Sequence, residues 1–240
     1  MAETLRTKTL ERWWPTTQTL DLVEGDVDTV GTAVVAQVTE YLDNFDNPPP
    51  TVSWPRFVDL DAALHTVPYF ANFPTQFLVL PTRSRSSVLW NNSFLCDGYD
   101  SLCSCLTRNH GLTSMHWSAH DTQTRFQPGA TFTHRRNLGG TVVERFVWAA
   151  QEDERWLFKQ SGLALPEEDV TLYNARRKRD GLNKQRVTEL LPRLGARPWQ
   201  EDFYAEADQH ACLITRDRLP PDIITRCPEM VLARFDDGSA

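Results

Sequence analysis

Four strand-like segments that follow one another in the second half of this chain constrain its fold more than any other feature. Residues 112–119, 131–135, 142–149 and 155–159 are rich in the β-branched and aromatic side chains that strands favour. The last two are separated only by the polar residues 151–154. So short a connection joins antiparallel neighbours, because parallel strands need a long crossover. We therefore predict a meander-like antiparallel sheet.

Shorter patterns predict further elements around this sheet. One or two strands are expected over 4–14 and 19–23, and further strands are expected at 76–80, 86–91 and 210–215, the last at a sheet edge. Helices are expected at 27–45, at 60–67, at 100–110 with Asp100 as cap, and as a pair between 167 and 191. The predicted fold class is α+β: a mostly antiparallel sheet of five or more strands with several packed helices. We expect one globular domain over 1–240, with a frayed tail at 236–240.

The helix predicted at 27–45 has the clearest periodicity in the first half of the chain. Its apolar residues recur every three or four positions, which is typical of one buried stripe: Val30, Val34, Val38, Tyr41 and Phe45. The proline triplet at 48–50 removes amide donors and ends the helix. The segment 47–50 is accordingly either a turn within the fold or a lobe boundary.

Composition indicates an ordinary soluble protein. The chain has 240 residues, 40% of them hydrophobic, and its eight Trp and twelve Phe supply large surfaces for a core. No apolar run approaches the roughly 18 residues that span a bilayer, and the polar N-terminus lacks a signal-peptide core. We expect a cytoplasmic protein that does not bind membranes. An odd number of cysteines favours reduced thiols: Cys96, Cys103, Cys105, Cys212 and Cys227.

The segment 96–120 concentrates residues that could bind a metal, namely Cys96, Cys103, Cys105, His110, His116 and His120. Their spacing opposes a metal site, because there is no Cys-x-x-Cys pair. On a strand, His116 and His120 would be about 13 Å apart, too far to share an ion. We predict no metal and no cofactor.

No motif identifies an enzyme. The sequence lacks a Gly-x-Ser-x-Gly elbow, a phosphate-binding glycine loop and a dinucleotide fingerprint. One alternative remains, an enzyme that uses Cys or His chemistry within 96–134, where Cys96, Asp97, His110 and His134 could converge. A scaffold subunit of a larger assembly is a third possibility.

The basic residues Arg176, Arg177, Lys178 and Arg179 do not predict nucleic-acid binding. Four consecutive residues wrap around a helix instead of forming one stripe, and they suit a helix C-terminus. The chain as a whole has a formal charge of −7. We therefore expect no nucleic-acid partner.

A long acid-only segment is the feature that local structure explains least. Between Arg12 and Arg56 there is no Lys or Arg, but there are seven acids: Asp21, Glu24, Asp26, Asp28, Glu40, Asp43 and Asp46. Asp26 and Asp28 suit a helix N-terminus, whereas the last three lie where the helix dipole disfavours anions. These acids either form a solvated face, pair with arginines from elsewhere in the fold, or bind a partner.

For the function we choose an interaction protein over an enzyme, and we take all seven acids as its candidate partner-binding residues. An acidic face without catalytic motifs is typical of an immunity or antitoxin-type inhibitor that binds a basic, toxin-like protein. The expected function is therefore a non-enzymatic interaction protein.

Overall fold

One nine-stranded antiparallel sheet organises the described part of the chain. The computed structural model describes residues 19–67, 74–93, 99–120, 128–204 and 209–216. The strands are β1 (Thr19–Glu24), β2 (Thr51–Ser53), β3 (Gln76–Pro81), β4 (Ser86–Asn91), β5 (Ser114–His120), β6 (Gly129–Leu138), β7 (Thr141–Glu152), β8 (Arg155–Ser161) and β9 (Cys212–Thr215). Their order across the sheet is β2-β9-β3-β4-β1-β5-β6-β7-β8, so β1 lies at the centre.

Helices cover both faces of the sheet. Those in the described ranges are α1 (Val27–Asp43), α2 (Leu60–Leu64), α3 (Tyr99–His110) and α4 (Lys184–Leu190). α1 and α3 pack on one face, where they meet Val23, Val79 and Leu89. α2, α4 and the irregular chain around them cover the other face, whose core includes Leu22 and Phe132. The α+β class and the antiparallel sheet are confirmed, but two of these four helices have only five and seven residues.

The predicted meander at β5 to β8 is confirmed and is longer than predicted. β6 and β7 pair over ten residues each, from Gly129 opposite Ala150 to Leu138 opposite Thr141. Gly139 and Gly140 form the turn with φ of 62° and 91°, a backbone region that favours glycine. The turn between β7 and β8 falls at the polar residues 151–154, as expected.

α1 forms for the local reasons that its sequence indicates. The carboxylate of Asp26 accepts a hydrogen bond from the Thr29 amide at 2.8 Å and caps the helix. Its buried stripe comprises Val27, Val30, Gly31, Ala33, Val34, Val38 and Leu42. The prediction that Tyr41 and Phe45 belong to this stripe is wrong. They are 50% and 61% exposed, because Leu42 takes the buried place at the end of the helix.

The chain beyond α1 returns to the same sheet. The prolines at 48–50 connect α1 to β2, which pairs with β9. β9 also pairs with β3, so the predicted edge position of residues 210–215 is wrong. The edge strand is β2 instead, because it adds to the far side of β9.

The helix predicted from 167 is absent, and the described chain there forms two short 3₁₀ turns, Val170–Asn174 and Lys178–Asp180. Glu168 explains the difference. Its carboxylate accepts hydrogen bonds from Arg145 of β7 at 2.8 Å and from the Tyr173 hydroxyl at 2.8 Å. These long-range contacts hold the segment against the sheet. The second helix of the predicted pair is confirmed, with Asn183 as its cap.

Some expectations fall on residues that the structure does not describe. They are the part of the predicted opening strands within 4–14, the thiols of Cys96 and Cys227, and the tail at 236–240. Asp100 lies in the first turn of α3, one residue after its start, so its predicted capping position is wrong. Among the described residues, no helix has the length and apolar character needed to cross a membrane.

Candidate functional site

The C-terminal end of α1 carries three exposed acids that have no ion-pair partner in the described chain. Glu40, Asp43 and Asp46 are all exposed, and the last turn of the helix contains no basic residue. Glu40 accepts a hydrogen bond from the neighbouring Gln37 amide at 3.2 Å. Asp46 closes the helix end with a left-handed φ of 53°, a conformation that Asp tolerates. Their charges therefore remain available to a partner.

Two exposed aromatic rings lie among these acids. The ring centroids of Tyr41 and Phe45 are 5.1 Å apart, with the planes tilted by 50°. The Arg216 guanidinium lies 5.2 Å from the centre of the Tyr41 ring and donates a hydrogen bond to the Pro74 carbonyl. We call Glu40, Tyr41, Asp43, Phe45 and Asp46 the acidic–aromatic patch. Aromatic side chains that rest in solvent beside charges are typical of surfaces that bind proteins.

The acids at the start of α1 have local partners. Asp26 caps the helix, and its hydrogen bonds from Thr29 lower the pKa of its carboxyl. Asp28 pairs with His210 at 2.9 Å between Oδ1 and Nε2. At 1.5 Å rise per residue, Asp28 lies about 22 Å from Asp43 along the helix. The two ends of α1 are therefore separate surfaces.

The two remaining candidate acids are not free surface groups. Asp21 is completely buried at the centre of the sheet. Glu24 binds the exposed Arg85 at 2.7 Å. Asp21 cannot belong to the predicted acidic face, because α3 covers the face of β1 to which its side chain points.

Asp21 instead organises a buried polar cluster. Its Oδ1 accepts a hydrogen bond from the Cys103 thiol of α3 at 3.3 Å and contacts His116 Nδ1 of β5 at 2.9 Å. Its Oδ2 is buried without a hydrogen-bond partner in the described chain. Burial disfavours a charged imidazole, but the carboxylate of Asp21 outweighs this effect and raises the pKa of His116.

Arg135 extends the cluster toward the N-terminal end of α3. Its Nε donates to Glu144 at 2.6 Å, and its Nη2 donates to Asp100 at 2.9 Å. α3 is thereby tied to β1, β5, β6 and β7 through side chains. The role that this geometry supports is attachment of the helix to the sheet.

The buried cluster is a poor nucleophilic site. Burial and the nearby charge of Asp21 raise the pKa of the Cys103 thiol well above its ordinary value. The thiol therefore stays protonated near neutral pH, whereas the thiolate is the nucleophile. Sequence reasoning missed the burial of Asp21, for which the only signal was the alternation that places it on the same face of β1 as Val23.

The convergence considered for Cys96, Asp97, His110 and His134 is not formed by the described residues. His110 is exposed at the end of α3. His134 lies opposite Met115, on the face of the sheet away from His116. Cys96 and Asp97 lie outside the described ranges. The two described residues of this set, His110 and His134, therefore do not share a site.

The cysteines of the described ranges form no disulfide with one another. Cys103, Cys105 and Cys212 are free thiols. Where the structure is described, no three His, Cys, Asp or Glu side chains form a group that could hold a metal ion.

Comparisons with known proteins found no matching family model, no matching curated protein and no matching solved structure. The function of this chain must therefore be inferred from its own surfaces.

Proposed function

We propose that this chain is a non-enzymatic interaction protein that binds a basic protein partner through the acidic–aromatic patch. One observation supports it most: three exposed carboxylates without ion pairs in the described chain share the end of α1 with two exposed aromatic rings. The helix dipole opposes the acids at this end of α1. Tyr41 contacts Phe45 and Arg216, but at least half of each of the two aromatic residues remains exposed to water.

Each part of the patch suits a different stage of binding. Concentrated negative charge attracts a basic surface over about 8 Å at physiological salt and speeds encounter. Tyr and Phe then bury large apolar areas with little loss of side-chain entropy. A partner with a basic rim around an apolar pocket would complement both.

The narrower form of the proposal is an immunity or antitoxin-type inhibitor that acts in the cytoplasm. A toxin that acts on nucleic acid or nucleotides needs a basic cleft for phosphates, and a projecting acidic helix end is complementary to such a cleft. Neither a cofactor nor a metal is needed for this role. The partner would be a toxin-like effector.

Photo-crosslinking in cells tests the proposal, because it captures whichever protein lies against the patch. A photoreactive phenylalanine analogue at Phe45 replaces one aromatic ring of the patch by another. The matched control carries the same analogue at Leu163, which is 85% exposed and follows β8, far along the sheet from α1. Mass spectrometry then identifies the captured proteins.

The expected result is one predominant basic protein that is captured at position 45 and not at position 163. Inhibition of that protein's own activity by the purified chain would support the inhibitor form. Equal capture at both positions, or a predominant partner that is acidic at the contact, would contradict the proposal.

A further inference from the structure

A cleft of about 500 Å³ opens on the face of the sheet opposite α1. Its floor is a row of side chains on three adjacent strands, since Leu22 lies opposite Met115 and Met115 lies opposite His134. Leu165 and Leu194 approach from the chain that covers this face. We call this space the His134 cleft. Its volume is within the range of about 300–1,000 Å³ that is usual for small-molecule sites.

The charges that line the His134 cleft are unusual for so acidic a chain. Three arginines and two glutamates reach it: Arg85, Arg136, Arg193, Glu24 and Glu167. Glu24 is already paired with Arg85 at 2.7 Å. The cleft thus has a surplus of positive charge, although the whole chain has a formal charge of −7.

Two guanidinium groups are available in this cleft. Arg136 is exposed and has no acceptor among the described residues. Arg193 donates from Nη1 to the backbone carbonyl of Glu167 at 3.2 Å, which holds its side chain at the rim. Guanidinium groups form strong, paired hydrogen bonds with carboxylate and phosphate oxygens.

His134 adds a neutral polar group to the apolar floor. Its burial and the nearby charge of Arg136 lower the pKa of its imidazole. The ring is therefore uncharged near neutral pH and can both donate and accept a hydrogen bond. Leu22 and Leu165 are buried beside it and offer apolar contact.

We propose that the His134 cleft binds a small organic anion, a carboxylate or a phosphate ester, through Arg136 and Arg193, with its apolar part against Leu22, Met115 and Leu165. The site uses different residues from the acidic–aromatic patch and lies on the other face of the sheet. The proposal of an anion site therefore does not depend on the proposal of a protein partner.

Titration with matched probes tests the site in the full-length protein. The probes are 4-phenylbutyrate, phenyl phosphate and 4-phenylbutylamine, the last having the same apolar body as the first and the opposite charge. NMR signals of the Met115 methyl group and the His134 ring report binding at this cleft. We expect saturable shifts of both signals with at least one anion at millimolar concentration, and none with the amine. Whichever anion binds with higher affinity shows whether the site prefers a carboxylate or a phosphate ester.

The variant Arg136→Gln removes one available guanidinium. Its affinity for the anion should fall at least about tenfold, the loss expected for a charge-assisted hydrogen bond. The control Arg155→Gln removes an exposed arginine from β8 and should leave affinity unchanged. If Arg136→Gln does not fold, the comparison of anion binding with amine binding in the native chain still tests the proposal. The proposal is overturned if neither anion shifts these signals, if the amine binds as well, or if Arg136→Gln in folded form binds as tightly as the native chain.

Discussion

Two histidine–aspartate pairs of equal length differ in burial, and we therefore expect them to contribute differently to stability. His116 lies 2.9 Å from Asp21, and His210 lies 2.9 Å from Asp28. Asp21 is fully buried, whereas the side chain of Asp28 is 70% exposed. If one partner of the exposed pair is removed, water can hydrogen-bond to the other. Water cannot do this for the buried pair.

Replacing each aspartate by asparagine tests this difference. Asp21→Asn should lower the free energy of unfolding by about 3 kcal/mol, because it removes the charge that His116 and Cys103 face in the core. Asp28→Asn is the matched control and should cost less than about 1 kcal/mol. Urea denaturation followed by Trp fluorescence measures both. Equal losses would contradict the structural role of the buried cluster.

The same buried pair predicts a dependence of stability on pH. The pKa of His116 is raised in the fold, against about 6.5 in the unfolded chain. Its contribution is therefore complete below about pH 6.5 and is lost as the pH rises through the folded pKa. Asp100 reinforces the effect and Arg135 opposes it.

We expect the stability that His116 contributes, taken as the native chain minus His116→Gln, to be complete below about pH 6.5 and to fall as the pH rises through the raised pKa of His116. His134, whose pKa is lowered, acts in the opposite direction, and the subtraction removes its effect. Urea denaturation at several pH values provides the measurement. An equal slope in both proteins would show that His116 does not carry the charge that the cluster predicts.

At the scale of elements, the sequence predicted those helices and hairpins that are stabilised by residues close together in the chain. α1 has its cap and its valine stripe in one segment, and the β7–β8 hairpin has its turn between its strands. Long-range contacts decide the rest. Glu168 binds Arg145 across 23 residues and replaces a predicted helix by turns. Only pairing with both β2 and β3 makes β9 an interior strand.

The candidate site could be predicted only in part, because some of its features depend on long-range contacts. The acids at the end of α1 are unfavourable locally, and the sequence alone shows this. The exposure of Tyr41 and Phe45 depends on where Leu42 meets the sheet, which helical spacing does not determine. The burial of Asp21 depends on β1 lying at the centre of the sheet with both faces covered. The His134 cleft is formed by residues from six regions of the chain and has no local signal.

The end of α1 makes a prediction about stability. Replacing Glu40, Asp43 and Asp46 together by Gln, Asn and Asn should leave stability unchanged or raise it by up to about 1 kcal/mol. The change removes repulsion and an unfavourable dipole interaction, while the buried stripe stays intact. Asn also tolerates the left-handed φ of 53° at position 46. Thermal unfolding measures it, and a loss greater than about 1 kcal/mol would show that these acids stabilise the fold.

At the scale of the whole molecule, the sheet separates two surfaces of opposite character. The acidic–aromatic patch extends from a helix on one face, and the arginine-lined cleft opens on the other. Each surface carries charge that the described fold does not use. A basic protein and a small anion would therefore bind without competing for the same residues.

The most direct test of the proposed function is the salt dependence of association with the partner captured at position 45. The rate constant for the native chain should fall at least about tenfold between low and high salt, because steering by charge is screened. The triple variant at Glu40, Asp43 and Asp46 should associate slowly, with little dependence on salt. A control that neutralises Glu152, Asp153 and Glu154 at the β7–β8 turn removes the same charge elsewhere and should behave like the native chain. If both triple variants associate alike at every salt concentration, the acidic–aromatic patch is not the binding surface.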